Sequence, residues 1–310
     1  MKFVQRLIPL LLLALVATSC DSLIYERGDD CPTLLRFAPY VQTPCMEDPD
    51  YPQGVDVVTI AVYSPKGQLL TYKTFDGVQL SPETVLEVSV AERCDSYRCY
   101  LWAGALNADY ALKPDLSSLP AADGAILSLI PTSPGRMDDK CPHRLFHASV
   151  DLPNVKVHRA GISTVLTSTP LLTEYTNDFI VRTQGLNPKM PARIEIRDHN
   201  ARYDLTGTIA EPRELFTYAA SLDAGASERE AMLRTLRLDD ITTHPKLVLV
   251  RPDTGEELMN FDLKKDLLAK LPHFKPECDH LYTVDLRFSP SMSVEISING
   301  WVVHSYSITL

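Results

Sequence analysis

The stretch LYTVDLRFSPSMSVEISINGWVVHSYSITL, residues 281–310, reads as three strands and two turns. Leu281–Phe288, Met292–Ile298 and Trp301–Leu310 alternate apolar and polar residues, the period of a strand with one buried face. Ser289-Pro290-Ser291 and Asn299-Gly300 separate them. Asn-Gly between such runs is a strong hairpin signal, because both residues tolerate the positive φ of a tight turn. In the last strand Val302, Tyr306, Ile308 and Leu310 share one face with His304, and Ser305, Ser307 and Thr309 share the other. Trp301, Val302, Tyr306, Ile308 and Leu310 mark this strand as the candidate edge for pairing with another chain. The plainer alternative is an ordinary strand of the second sheet pair. The sequence ends at Leu310, which leaves a separate donor segment little room.

Upstream the same grammar repeats. Asp262–Leu271 places Leu263, Leu267, Leu268 and Leu271 on one helix face with Asp262 as N-cap. Lys246–Val250 predicts a strand that turns at Thr254-Gly255 toward Leu258–Phe261. Glu211-Pro212 introduces a helical reading for Arg213–Ala220, extended by Glu228–Leu236. Val155–Thr167, Phe179–Thr183, Ala192–Ile196 and Tyr203–Ile209 read as strands. Asp151-Leu152-Pro153-Asn154 breaks the pattern and predicts a domain boundary. Before it, Val55–Tyr63 is rich in β-branched residues and stops at Ser64-Pro65-Lys66-Gly67. Thr84–Val90, Arg98–Ala103 and Leu145–Val150 are further short runs. The chain has 310 residues with 23 Pro and 13 Tyr, which suits many short strands and turns. The fold class is mainly β.

The N-terminus differs. Lys2 and Arg6 precede an apolar run from Leu7 to Ala17, about half of the ~20 residues that a bilayer span needs. Ala17-Thr18-Ser19-Cys20 follows. This is a secretory signal over residues 1–19 whose cleavage leaves Cys20 as the lipidation site. Ala17 stands where such signals most often carry Leu. More than one acyl chain on Cys20, palmitate among them, gives lasting membrane attachment. Residues 20–30, with Asp21, Glu26, Asp29 and Asp30, form an acidic tether, either a sorting signal or a solvated spacer.

The net charge is −10, and loss of Lys2 and Arg6 makes the mature chain more acidic still. Nucleic acid, which needs Lys and Arg clusters, is excluded as a partner. Beyond Cys20 stand Cys31, Cys45, Cys94, Cys99, Cys141 and Cys278. An even number in an oxidising compartment predicts disulfides. A local Cys94–Cys99 loop and a Cys31–Cys45 bracket are two of many pairings, and spacing does not choose among them.

Several stretches together resemble the Bacteroidales fimbrial anchor lipoproteins, the FimB-type, fimbrillin-A-associated anchors of type V pili. They are Cys31-Pro32-Thr33-Leu34-Leu35-Arg36-Phe37 with Tyr40, Val55–Gly67, and Cys99-Tyr100-Leu101-Trp102-Ala103-Gly104. Arg144-Leu145-Phe146-His147 and Ile298-Asn299-Gly300-Trp301 complete the order. The resemblance implies two tandem transthyretin-like β-sandwich domains, 31–152 and 153–310, with one or two short helices in the second. It implies a lipid-tethered, surface-exposed subunit of the cell outer membrane that holds the fimbrium base and limits its length. Its partners would be fimbrillin stalk subunits, engaged by strand addition. In stalk subunits of such pili an N-terminal strand is cut away after an Arg. An anchor must keep its lipid, so Leu34–Tyr40 is expected to stay in place, and cleavage at Arg27 or Arg36 would mark a polymerising subunit instead.

No catalytic constellation is present: the serine-hydrolase elbow, phosphate loop, zincin helix and dinucleotide fingerprint are all missing. No cofactor and no metal are expected. Cys141-Pro142-His143-Arg144-Leu145-Phe146-His147 looks metal-like but lacks a second ligand cluster. Glu47-Asp48-Asp50 and Asp138-Asp139 lack the spaced ligands of a calcium loop. Trp102 and Trp301 read as core residues rather than a glycan platform. The rival functions are a fimbrial tip or accessory adhesin of the same fold and, from another class, an envelope lipoprotein hydrolase.

Overall fold

The computed structural model describes residues 32–104, 108–113, 124–154, 164–238, 243–290 and 293–307. In chain order the first strands are β1 (Thr33–Phe37), β2 (Tyr40–Val41), β3 (Val57–Tyr63), β4 (Leu69–Asp76), β5 (Leu86–Val90) and β6 (Ser96–Ala103). Next come β7 (Tyr110–Lys113), β8 (Ile126–Leu129), β9 (Arg136–Asp138), β10 (Phe146–Pro153), β11 (Val165–Ser168) and β12 (Leu171–Glu174). The remainder are β13 (Thr176–Gln184), β14 (Ala192–Asp198), β15 (Arg202–Asp204), β16 (Phe216–Leu222), β17 (Glu228–Leu236), β18 (Lys246–Val250), β19 (Glu257–Asp262), β20 (Leu281–Phe288), β21 (Ser293–Ile298) and β22 (Trp301–Ser307).

A three-stranded sheet, β11-β1-β5, faces a six-stranded one, β2-β12-β10-β6-β3-β4. Leu35 and Phe37 of β1 and Leu86, Val88 and Val90 of β5 pack against Val58, Ile60 and Val62 of β3 and Leu101 of β6. Two five-stranded sheets, β17-β13-β20-β21-β22 and β19-β18-β14-β16-β9, enclose a second core. Val284 and Leu286 meet Ile194, Ile196, Leu247 and Leu249 there. A small sheet, β15-β8-β7, completes the assembly.

β3 and β6, in the six-stranded sheet, are buried on both faces, which explains why β3 reads as a nearly continuous apolar run rather than an alternating one. Val58, Ile60 and Val62 face the first core, while Ala61 and Tyr63 join the second with Tyr100 and Trp102 of β6. One aromatic group fills that join. The Trp102 ring lies 4.5 Å from His147 and 5.2 Å from Tyr175, and Tyr203 lies 5.2 Å from Tyr175. The His147 Nε2 proton is donated to the Leu205 carbonyl at 3.1 Å. Burial pushes the His147 imidazole down to about 4, so it stays neutral inside this group.

The expected boundary at Asp151–Asn154 instead holds the end of β10. β12 pairs β10 only at Phe146 and His147. Pro153 therefore lies beyond β12's reach, where a missing N–H costs no ladder bond. β11 and β12 still belong to the first two sheets, and β9 already pairs β16 in the second set. The helical readings of Arg213–Ala220 and Glu228–Leu236 are corrected to strands. β16 sends Phe216, Tyr218, Ala220 and Leu222 into the core, and β17 sends Ala231 and Leu233. Long-range pairing overrides the helix propensity of Glu, Ala, Met and Leu. The Asp262 reading keeps its cap and loses its length. A π turn over Leu263–Leu267 and a 3-10 turn over Leu268–Lys270 stand there. The Asp262 carboxylate accepts the Lys265 N–H at 2.9 Å. Of Val155–Thr167 only the end is described, and β11 covers Val165–Thr167. Tyr203–Ile209 shortens to β15 and a turn through Gly207.

Candidate anchoring strand and pairing edge

β1 is the middle strand of its sheet. It pairs antiparallel with β5, Leu35 opposite Val88, and parallel with β11, Leu35 beside Leu166. Ladder bonds continue past it, from the Ala38 N–H to the Ser168 carbonyl and from the Tyr40 N–H to the Pro170 carbonyl. Thr33, Leu35 and Phe37 are buried and Arg36 is exposed. Arg36 is tied to Glu87 across the strand at 2.7 Å. Burial of Leu35 and Phe37 contributes ~1.5–3 kcal/mol each. The peptide bond after Arg36 thus sits in a strand bonded on both sides, and a protease reaches it only if β1 leaves the sheet. Arg27 lies outside the described residues, as does Cys20.

β22 stands at the end of its sheet and pairs only with β21 among the described strands. A bulge between Ile296 and Ser297 shifts the expected faces. Val303, not Val302, turns into the core, at 7% exposure, whereas Val302 is 60% exposed. Trp301, expected in a core, is 59% exposed at the start of the strand, while Trp102 is buried at 2%. His304 is half-buried, its ring 4.9 Å from Phe261. The side chains of Tyr306, Ile308 and Leu310 lie outside the described residues. The edge therefore presents two exposed apolar side chains beside a backbone that no second described strand pairs.

The cysteines distribute unlike the local expectation. Cys45 bonds Cys278 across 233 residues, with a Cα separation of 5.9 Å. It joins the segment after β2 to the segment before β20. A Cys31–Cys45 bracket is therefore not formed. Cys94, Cys99 and Cys141 are free thiols, so the Cys94–Cys99 loop is not formed either. The reason is orientation: Cys99 points from β6 into the first core, fully buried, and that burial pushes its thiol up to about 12. No spacing rule signals a bond between Cys45 and Cys278.

The metal-like run separates. The His143 Nδ1 pairs with Asp109, which also holds Lys140 and accepts the His143 N–H at 2.7 Å. Burial raises the Asp109 carboxyl, but Lys140 and His143 outweigh it and hold it below its usual range. His147 points into the aromatic group instead. Asp138 is bound by Arg136 and Ser133, and Asp139 accepts from Ser221. Among the described residues no three such groups converge to hold a metal, and no helix is long and apolar enough to cross a membrane.

Known proteins share this arrangement. The family of fimbrillin-A associated anchor proteins Mfa1 and Mfa2 matches residues 28–307. The minor fimbrium anchoring subunit Mfa2 of Porphyromonas gingivalis is 25% identical over 306 residues, spanning 94% of this chain and 92% of that protein. The solved structure of Mfa2 from Porphyromonas gingivalis superposes with a TM-score of 0.74 at 23% identity, over 89% of this chain and all of that one. A candidate adhesin of Bacteroides thetaiotaomicron follows at 0.64 and 20%, over 88% of this chain and 98% of its own. These are fimbrial structural and adhesin proteins, not enzymes. With a match that runs from the tether to the last described strand, the chain belongs to the family of fimbrillin-A associated anchor proteins.

Proposed function

We propose that this chain is the membrane-held base of a fimbrium. The lipid on Cys20 fixes it to the outer membrane on the outside of the cell. The acidic tether leads into β1, and the two sandwiches hold the first stalk subunit. The observation that carries this reading is β1 itself, a strand paired on both sides with Leu35 and Phe37 fully buried. A polymerising subunit gives up such a strand to open a groove. A base must keep it, because it is the only covalent route from the lipid to the folded body.

Attachment to the stalk goes through strand addition at β22. A partner strand satisfies the edge's backbone groups, and its side chains cover Trp301 and Val302. A base taken up once per fimbrium also limits growth from that end. Replacing Cys20→Ala in the producing cell tests the reading. Fimbriae should appear in the medium, detached and altered in length. Fimbriae that stay on the cell would contradict it. Immunogold labelling separates the base from the tip: label at the cell surface supports an anchor, and label at the distal end supports an adhesin.

A further inference from the structure

We propose that the Tyr97 hydroxyl is a latch that holds the entrance of β1 in the fold and so keeps the bond after Arg36 uncut. Thr33 opens β1 in the three-stranded sheet, and Tyr97 lies on β6 in the six-stranded one. Both are buried, at 1% and 0% exposure. The Tyr97 O–H is directed at the Thr33 Oγ1, 3.2 Å away, and at the Glu92 carbonyl, 3.1 Å away. Its oxygen accepts the Cys94 N–H at 3.2 Å. One phenol, both donor and acceptor, thus ties β6 to β1 and to the connection between β5 and β6.

That connection is fixed in turn. Asn154, just past β10, donates its side-chain amide to the Cys94 carbonyl at 2.8 Å and its backbone N–H to the Asp95 carbonyl at 2.9 Å. Further along β1, Leu35 and Phe37 meet the opposite sheet through apolar packing. Such packing is non-directional. A buried hydrogen bond holds one geometry, and breaking it leaves its partners unsatisfied. Tyr97 therefore sets the position of β1 at the end where the chain enters the first sandwich.

The bond after Arg36 depends on that end. Arg36 is exposed, so its side chain is open to recognition. What shields the bond is the backbone pairing of β1 with β5 and β11. A protease needs extended, unpaired chain on both sides of the bond it cuts, so cutting after Arg36 reports how often β1 opens. A pull on the N-terminus loads the Thr33 end first, and the latch stands there. Its biological meaning rests on the anchoring function proposed above: a base that must stay joined to its lipid is bolted where the load enters.

The test is native trypsin digestion of the purified full chain, with initial rates read site by site by mass spectrometry. A new N-terminus at Phe37 reports opening of β1. A new N-terminus at Cys99 reports opening of β6, which β3 and β10 pair on both sides. Tyr97→Phe keeps the ring and removes the oxygen. It should speed the cut after Arg36 on the order of tenfold, with much less change after Arg98. Thr33→Val removes the other oxygen from a side chain of the same shape. It should give the same selective rise, and it carries the test if Tyr97→Phe fails to fold. The double variant should be cut no faster than Tyr97→Phe alone. Unchanged cutting after Arg36 in the single variants would overturn the proposal, and so would additive effects in the double. Equal acceleration after Arg36 and Arg98 would also overturn it, because Tyr97 would then support the whole sandwich rather than the entrance of β1. None of these readings involves Cys20, so a bare Cys20 thiol and an absent latch are separate failures.

Discussion

His147 and Gly207 show how much of the join between the two cores rests on single residues. His147 is 5% exposed and holds its proton only near pH 4, against 6.5 for the free side chain. Between those values the unfolded chain takes up a proton that the folded chain refuses. Stability is therefore full above pH ~6.5 and falls as the pH drops toward 4, by about 3 kcal/mol from this one group. Denaturant titrations at pH 7 and pH 4.5 should show the loss, and His147→Phe should flatten that part of it. An unchanged pH dependence in the variant would mean that other groups dominate. Gly207 adopts φ +87°, and a Cβ there would run into the Tyr175 hydroxyl and stand 2.9 Å from the His147 Nδ1. Gly207→Ala should cost about 1–3 kcal/mol, read as a lower denaturation midpoint with unchanged slope.

Among the elements, the two edges of the argument behave oppositely. β1 is a core element, so Phe37→Ala should destabilise the protein by ~3–5 kcal/mol. It should also make the bond after Arg36 sensitive to trypsin under native conditions. β22 is an edge element, so Val302→Lys should leave the melting temperature nearly unchanged while blocking stalk attachment, because a charge on an exposed edge opposes strand addition. Normal fimbriae from that variant would move the docking surface elsewhere. The elements also show what a single sequence displays. β18 and β20 have the bounds read from the sequence, Lys246–Val250 and Leu281–Phe288, because β18 is a short β-branched and leucine run between prolines and β20 alternates up to a turn. β16 and β17 were hidden by their helix-forming composition, since it is pairing with β14 and β9 for β16, and with β13 for β17, that holds them extended. The bulge in β22 was hidden too, as Val302 and Val303 are equivalent on paper and one extra residue decides which is buried. The proposed lipid site and the terminal strand rest on local patterns. The aromatic group and the Cys45–Cys278 bond join residues far apart in sequence, and no local pattern carries them.

Across the whole molecule, several features of the described residues join the two sandwiches. The six-stranded sheet is shared between the cores, β9 pairs β16, and Cys45 bonds Cys278. The disulfide closes a long loop, so its chain-entropy contribution is near the upper end, about 5 kcal/mol. Cys45→Ser with Cys278→Ser should lower the melting temperature by several degrees without changing the strand content seen by circular dichroism. Under the proposed anchoring, load from a lipid-held N-terminus would enter the folded body through β1. The intact mass of the protein extracted from outer membranes with detergent tests that most directly. The account predicts a polypeptide from residue 20 to its C-terminus carrying a diacylglyceryl group and an amide-linked acyl chain. A mass starting at Gly28 or Phe37, with no lipid, would contradict it.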